Sequence, residues 1–522
     1  MHVLTMKSRF TLPPFLFGLF PVLFLYAHNI KEVPLHEVFL PIVLVIVVTA
    51  IAQWPLSVQI KDARKSGLII SLWWILFFSF EHAVNVLDID GKALAISLLG
   101  IIWIALFVIG TLLILRLSSS LKGLNLLLVI VGAYLVLFQT GSAAWSLYNR
   151  KDITKGQEVA QQGTTPARGD LPDIYYIILD GYGRADILKR MYGYDNSEFL
   201  NFLKGRGFYI ADSSYSNYCQ TLLSLMSTFE MGYLSDLPRE YGWNYDDRYA
   251  LGDKLRKATA IEQLRKNGYK TVAFSTGYAE TEFTNFDYYY NYEGTISEFH
   301  KLVLGATPLW RIIDPFMSPY DMQRGQIEFT LNLLPHAGDD ASPKFVFAHI
   351  TLPHPPFVFD SVGNAVNPRI RFSMADGSHL TRLGLTREEY IKGYRNQLEY
   401  ANRRMMQILP KLLDRPGRKP IIIVQGDHGP GSELHWESLR ETNVTERFAN
   451  LNAYYFPDGD YSGLYRSITP VNSYRVILNK VLGTSYKRIV DRNYFSGWLA
   501  PLDFSEVTFE LHPEWLDSST FK

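Results

Sequence analysis

The chain has 522 residues, 48% of them apolar and 20% charged, with 51 basic side chains against 51 acidic, so it has room for more than one domain. A net charge of zero gives no electrostatic case for a nucleic acid or an acidic polymer as partner. The one cysteine, Cys219, rules out an intramolecular disulfide framework, which a domain large enough to bury its own core does not need. The composition is unevenly spread: long uncharged runs fill residues 1–150, and nearly all the acidic side chains follow Lys151.

Five apolar stretches are expected to form helices, near Leu12–Tyr26, Leu35–Trp54, Ser66–Phe80, Ala93–Leu115 and Leu124–Ala144, most of them close to the roughly 20 residues a span requires. The first lacks a small-x-small cleavage site and reads as an uncleaved helix. Lys7, Arg9, Lys61, Arg64, Lys65, Arg116 and Lys122 fall on one side, against Lys31 and Lys92 on the other, so the N-terminus is expected in the cytoplasm and everything after Trp145 outside it. Glu81 and His82 are an ionisable pair near a helix end and read as interfacial. Residues 1–150 are thus a multi-pass anchor in the cytoplasmic (inner) membrane.

Residues 151–170 are polar and aperiodic and read as a linker. From 171 to 522, short β-rich runs recur at Tyr175–Leu179, Thr271–Ser275, Phe345–Ile350 and Ile421–Val424, with helical periodicity between them. The clearest helix starts after Thr386, where Thr-Arg-Glu-Glu is a capping box. The fold class expected is α/β, a mixed, mostly parallel sheet between helices, preceded by an all-α five-helix membrane domain.

In such a sheet the ligand site lies beyond the carboxyl ends of the strands. Asp180 follows one apolar strand and is itself followed by Gly181; in isolation that is a strand-end turn. Asp427 and His428 stand together after another, ahead of Gly429, Pro430 and Gly431, and a carboxylate beside an imidazole suits zinc or manganese. Thr221 precedes a short amphipathic helix whose free amides favour an anionic phosphoryl group. A hydroxyl needs an activating metal to act as nucleophile, which Asp180, Asp427 and His428 are placed to hold; without one Thr221 is an N-cap. His354, in a Pro-rich loop, is suited to help a leaving group, and His349 at a strand end is equally well read as a core histidine. The aromatic run Phe286–Gly294 reads better as a strand than as a sugar-stacking loop.

These segments, in this order, resemble the alkaline phosphatase superfamily, and within it sulfatase-like membrane transferases of the lipoteichoic acid synthase and lipid A phosphoethanolamine transferase type. The resemblance implies Thr221 as catalytic nucleophile, with Ser224 in the same segment, and one divalent ion held by Asp180, Thr221, Asp427 and His428. It implies His354, His435 and Asn402 on the substrate side, with His354 also catalytic. It further implies a membrane phospholipid donor, an envelope glycan or lipid acceptor, and transfer of a phosphoglycerol- or phosphoethanolamine-type group through a phospho-threonine. Three departures bear on this. Cys219-Gln-Thr-Leu-Leu lacks the C/S-x-P-x-R setting of sulfatases. Asp180 stands where the transferases carry Glu, as in hydrolytic phosphatases and phosphodiesterases. Asn402 stands where many relatives have Asp, which argues against a second metal. A hydrolase of the same superfamily and a metal-binding envelope protein without catalysis are the alternatives.

Overall fold

The computed structural model describes residues 9–31, 33–87, 89, 91–117, 121–148, 171–292, 297–313, 318–339, 343–415 and 419–515. The segment 151–170, expected as a linker, lies outside them. The chain divides into two compact units, one of Met1–Arg150 with Ile296–Ser318 and one of Lys151–Thr295 with Pro319–Lys522. The segment 296–318, which the sequence alone leaves inside 171–522, thus belongs with the apolar helices.

In the first unit the helices are α1 (Pro13–His28), α2 (Phe39–Ile60), α3 (Ala63–Val86), α4 (Ala93–Arg116) and α5 (Lys122–Tyr148). Five spans are expected from hydropathy; four helices among the described residues are long and apolar enough to cross a membrane, with mean hydropathies between 1.6 and 2.9. α1 is shorter, 16 residues, because Pro13 and Pro14 open it and Asn29 caps its last carbonyls through its backbone N–H. Asp62 caps α3, accepting from the amides of Arg64 and Lys65. Apolar side chains such as Ile101, Ile104, Ile130 and Leu137 stand exposed on α4 and α5, as expected of surfaces made for lipid.

The second unit is built on a sheet of seven strands: β1 (Ile174–Leu179), β2 (Tyr209–Ile210), β3 (Lys270–Phe274), β4 (Tyr288–Tyr290), β5 (Lys344–Ile350), β6 (Ile421–Gln425) and β7 (Asn452–Tyr455), in the order β2-β7-β6-β1-β5-β3-β4. The central strands β6, β1, β5, β3 and β4 run parallel, and β7 and β2 close one side antiparallel. The four expected strands are present to within a residue at either end, and the aromatic run supplies edge strand β4.

Alternation along β1 builds two cores. Ile174, Tyr176 and Ile178 face one layer, where the helix Thr221–Glu230 contributes Leu222, Leu225, Met226 and Phe229. Tyr175, Ile177 and Leu179 face the other, where the helix Arg387–Leu413 contributes Tyr394, Leu398, Met405 and Leu409. That long helix opens with the expected box, Thr386 accepting from the Glu389 amide while the Glu389 carboxylate accepts from the Thr386 amide. The register pairs Ile178 with both His349 and Gln425, so β1, β5 and β6 end level and their following residues meet at one edge.

Candidate metal centre and active site

Asp180 leaves β1 with its amide still donating to Ile350 O at 3.0 Å, so the ladder carries the residue one step past the strand. Gly181 follows with φ of +70°, a conformation that a side chain would strain, and its amide donates to Asp427 Oδ1 at 2.9 Å. The turn after β1 therefore aims the carboxylate that follows β6. Both side chains are fully buried, and Asp180 Oδ1 and Asp427 Oδ2 have no hydrogen-bond donor. Two unsatisfied carboxylate oxygens in a low-dielectric interior are costly, and their natural complement is a cation.

His349, the penultimate residue of β5, places Nε2 3.1 Å from Asp180 Oδ2, and its Nδ1 meets Thr281 Oγ1 at 3.2 Å. Asp180, His349 and Asp427 each offer one ligand atom within 4.8 Å of the others, all buried. His428 points Nε2 at the same place, 3.2 Å from Asp427 Oδ2 and 3.7 Å from Asp180 Oδ1. Its Nδ1 lies 2.9 Å from Gly429 O, a partner that can only accept, which fixes the ring with a proton on Nδ1 and a lone pair on Nε2. Burial, then the positive charge of Arg447, hold the His428 imidazolium below its usual range, so the ring is neutral, as a ligand must be. The Asp180 carboxyl is opposed by burial, but the charge of His354 and the hydrogen bond and charge of His349 overcome it and keep it ionised. Two carboxylates with one or two imidazoles are a donor set that fits zinc or manganese.

Thr221 Oγ1 lies 3.1 Å from His428 Nε2, and Thr221 is half-buried while Leu222 to Phe229 behind it are buried. Thr221 is expected ahead of its helix; in the structure Gln220 is the N-cap and Thr221 the first helical residue, because the Ser224 amide already donates to Gln220 O. The hydroxyl thus projects at the positive end of the helix dipole. Ser224 Oγ donates to Asp427 O at 2.6 Å, which ties this helix to the strand end carrying Asp427 and His428.

His354 faces the same space, its ring centroid 6.4 Å from that of His428. Its loop is held from two directions, the His354 amide donating to Asp180 O and Gln397 Nε2 donating to His354 O. Asp376 Oδ2 is 3.9 Å from His354 Nε2. Asp376 also receives Tyr390 Oη and Arg447 Nη1, and Arg447 reaches on to Cys219 O and to His428 Nε2 at 3.1 Å.

The remaining expected residues lie elsewhere. His435 is half-exposed, paired with Glu441 at 3.7 Å. Asn402 is buried in a network behind the site, accepting from Tyr182 Oη and donating to Asn196 Oδ1 and Tyr194 Oη. Strand-end position was the signal for His349, and it stood equally well for a core histidine. Asp376, in Asp-Gly, and Arg447, in a helical turn, had no signal at all, since both are brought to the site by tertiary packing.

No family model matches the chain, and no curated protein matches it. Solved structures do. The zinc complex of the C-terminal periplasmic domain of EcEptC from Escherichia coli is 10% identical, covering 65% of this chain and 93% of that one with a TM-score of 0.42. The integral membrane lipooligosaccharide phosphoethanolamine transferase A from Neisseria meningitidis is 13% identical over 90% of this chain and 94% of its own, TM-score 0.39. The lipoteichoic acid synthase LtaP from Listeria monocytogenes is 16% identical over 63% and 78%, TM-score 0.37. At these identities and TM-scores the likeness carries no functional argument.

Proposed function

We propose that the chain is a membrane-anchored, metal-dependent phosphotransferase in which Thr221 becomes covalently phosphorylated. The observation that carries this reading is the half-buried Thr221 hydroxyl at a helix N-terminus, 3.1 Å from a neutral His428, beside two buried carboxylate oxygens that lack donors. Asp180, His349, Asp427 and His428 would hold one divalent ion, with Thr221 alongside. Such an ion supplies charge neutralisation and Lewis acidity when bound.

The chain's own groups do the rest. Thr221 Oγ1 bonds to phosphorus as the bond from phosphorus to the donor's alcohol oxygen breaks; the hydroxyl proton lost by Thr221 balances the one the departing alcohol takes up. The amides of the first helical turn face the phosphoryl oxygens. His354, held by Asp180 and Gln397 through its backbone, is placed to hydrogen-bond the leaving or entering oxygen. A second hydroxyl then takes the phosphorus and returns Thr221 to its free state. The ordered motifs favour a phospholipid as donor and a phosphoglycerol or phosphoethanolamine group as cargo, with an envelope glycan or lipid as acceptor. Asp180 at the first acidic position favours a second reading, in which water completes the second step.

The test is intact-mass analysis of the purified full-length chain, supplied with zinc or manganese and mixed phospholipids. A mass gain equal to the cargo, present in the wild type and absent from Thr221→Ala, is expected. Equal transfer by both proteins would overturn Thr221 as nucleophile. Free headgroup without transfer to an added acceptor would select the hydrolytic reading.

A further inference from the structure

The segment 297–313 is the part of the chain that neither the membrane anchor nor the active site explains. Its sequence, Ser297 followed after Glu298 by FHKLVLGATPLWRII, is far more apolar than a surface loop needs to be. It forms two short helices, Glu298–Gly305 and Leu309–Ile313, and belongs to the unit of α1 to α5. Phe299 and Val303 are buried in one cluster with Val22, Tyr26 and Val38, and the Phe299 and Tyr26 rings meet edge-on with centroids 6.0 Å apart.

Polar contacts fix the segment at two more points. Glu37, in the turn between α1 and α2, receives Ser297 Oγ at its carboxylate, and its carbonyl oxygen lies 2.9 Å from His300 Nε2. Arg311 grips Glu81 with two parallel bonds, Nε at 2.6 Å and Nη2 at 2.7 Å. A forked pair of this kind fixes the geometry of the contact as well as holding the two charges together. The anchoring points share a location. Tyr26 lies in the last turn of α1, Glu37 precedes α2 and Glu81 lies within two turns of the end of α3. Helices that alternate in direction put all three at one membrane face, the face at which α5 also ends. The opposite side of the segment shows Leu302, Leu309 and Ile312, exposed by 43%, 41% and 64%, with Trp310 half-buried beside them. These side chains belong to the same unit as the exposed apolar side chains of α4 and α5.

We infer that residues 297–313 are an interfacial anchor, two short helices lying in the headgroup-to-acyl boundary of the leaflet at which α5 ends, with Leu302, Leu309 and Ile312 among the acyl chains. An amphipathic element with Leu and Trp on one face and charge on the other partitions there. The occupant of the exposed face is the lipid bilayer itself, because the segment is fixed to the ends of apolar helices long enough to span one. The sequence after α5 is therefore bound to the membrane a second time, about 150 residues downstream of the last span.

Single cysteines at 302, 309 and 312 in the full-length chain, with Cys219 changed to Ala, carry an environment-sensitive fluorophore in nanodiscs of phosphatidylcholine and phosphatidylglycerol. Quenching by acyl-chain nitroxide lipid is expected to fall within about twofold of that at Leu137→Cys on α5, with little quenching by aqueous iodide. Strong iodide quenching without lipid quenching would overturn the inference, as would shielding from both quenchers with cross-links between copies, which would assign the face to a second molecule. A fourth label at the exposed Leu499 of the second unit, expected to be quenched by iodide alone, shows that the nitroxide does not reach water-facing sites.

Discussion

Arg447 Nη1 stands 2.6 Å from Asp376 Oδ2, and both buried side chains reach a histidine of the site, Arg447 to His428 and Asp376 to His354. The pair does what neither residue does alone. Burial would raise the Asp376 carboxyl, but Arg447 first, then His354 and Tyr390, hold it below the usual carboxylate range. Arg447 in turn spans from Cys219 O, two residues before Thr221, to Gly429 O, just after the Asp-His pair. Two loops that must stay in register are thereby tied to one guanidinium.

Removing one member strands the other. Asp376→Ala leaves a buried arginine without its carboxylate, a change that costs on the order of 3–5 kcal/mol. Thermal unfolding of the full-length protein in detergent, followed by near-ultraviolet circular dichroism, is expected to show a marked fall in Tm. The double variant Asp376→Leu with Arg447→Met is expected to lose less than the sum of the single changes, because it leaves no buried charge unpaired. Additive losses would mean that the two side chains are not coupled.

The proposed metal ligands can be separated from His435 by experiment. Asp427→Asn and His349→Ala each remove a donor from the buried group, and loss of bound zinc or manganese is expected to exceed the roughly 10–100-fold weakening typical of outer partners. His435→Ala, on a half-exposed side chain paired with Glu441, is expected to leave metal content unchanged. Metal analysis of the purified proteins after dialysis reads this directly. Unchanged content in His349→Ala would return His349 to the role of a core histidine.

Much of this architecture is legible in the sequence because strand ends carry their chemistry with them. Asp180, Asp427 and His428 follow wholly apolar runs, and parallel pairing of β1 with β6 is enough to bring them together. Thr386 announces the long helix by its capping box. Arg447 and Asp376 are not legible, since a residue in a turn gives no sign of which loop it will meet. The segment 297–313 is missed for a different reason. Its apolar runs are too short for a span and too interrupted for a strand, and only its packing against Tyr26 and its pairing with Glu81 show where it belongs.

Asn402 is held in a buried network of amides and phenols behind the site. Its amide donates to Asn196 Oδ1 and Tyr194 Oη, and its carbonyl accepts from Tyr182 Oη. Asn402→Asp would set a carboxylate against Asn196 Oδ1 in a buried network, at a cost of about 1–3 kcal/mol. A lower Tm with unchanged metal stoichiometry is expected. A second equivalent of bound metal would show instead that the network can open into a ligand site.

Glu446 makes the sharpest case for pH. Burial raises its carboxyl to about 7, against the opposing hydrogen bonds from Ser432, Tyr192 and the Glu433 amide. A carboxyl whose folded value lies above its unfolded value of 4.5 binds its proton more tightly in the native state. Its contribution to stability is complete below about pH 4.5 and is lost as pH rises through about 7, amounting to about 3 kcal/mol. Glu446→Gln keeps the shape and removes the titration, though it turns one donor toward the Glu433 amide and so lowers stability at every pH. The difference in unfolding free energy between wild type and Glu446→Gln is therefore expected to shrink steadily between pH 5 and pH 8. A difference that is flat across that range would mean that the hydrogen bonds, and not burial, set the charge of Glu446, and that the residue is an ionised anchor for the Ser432 turn.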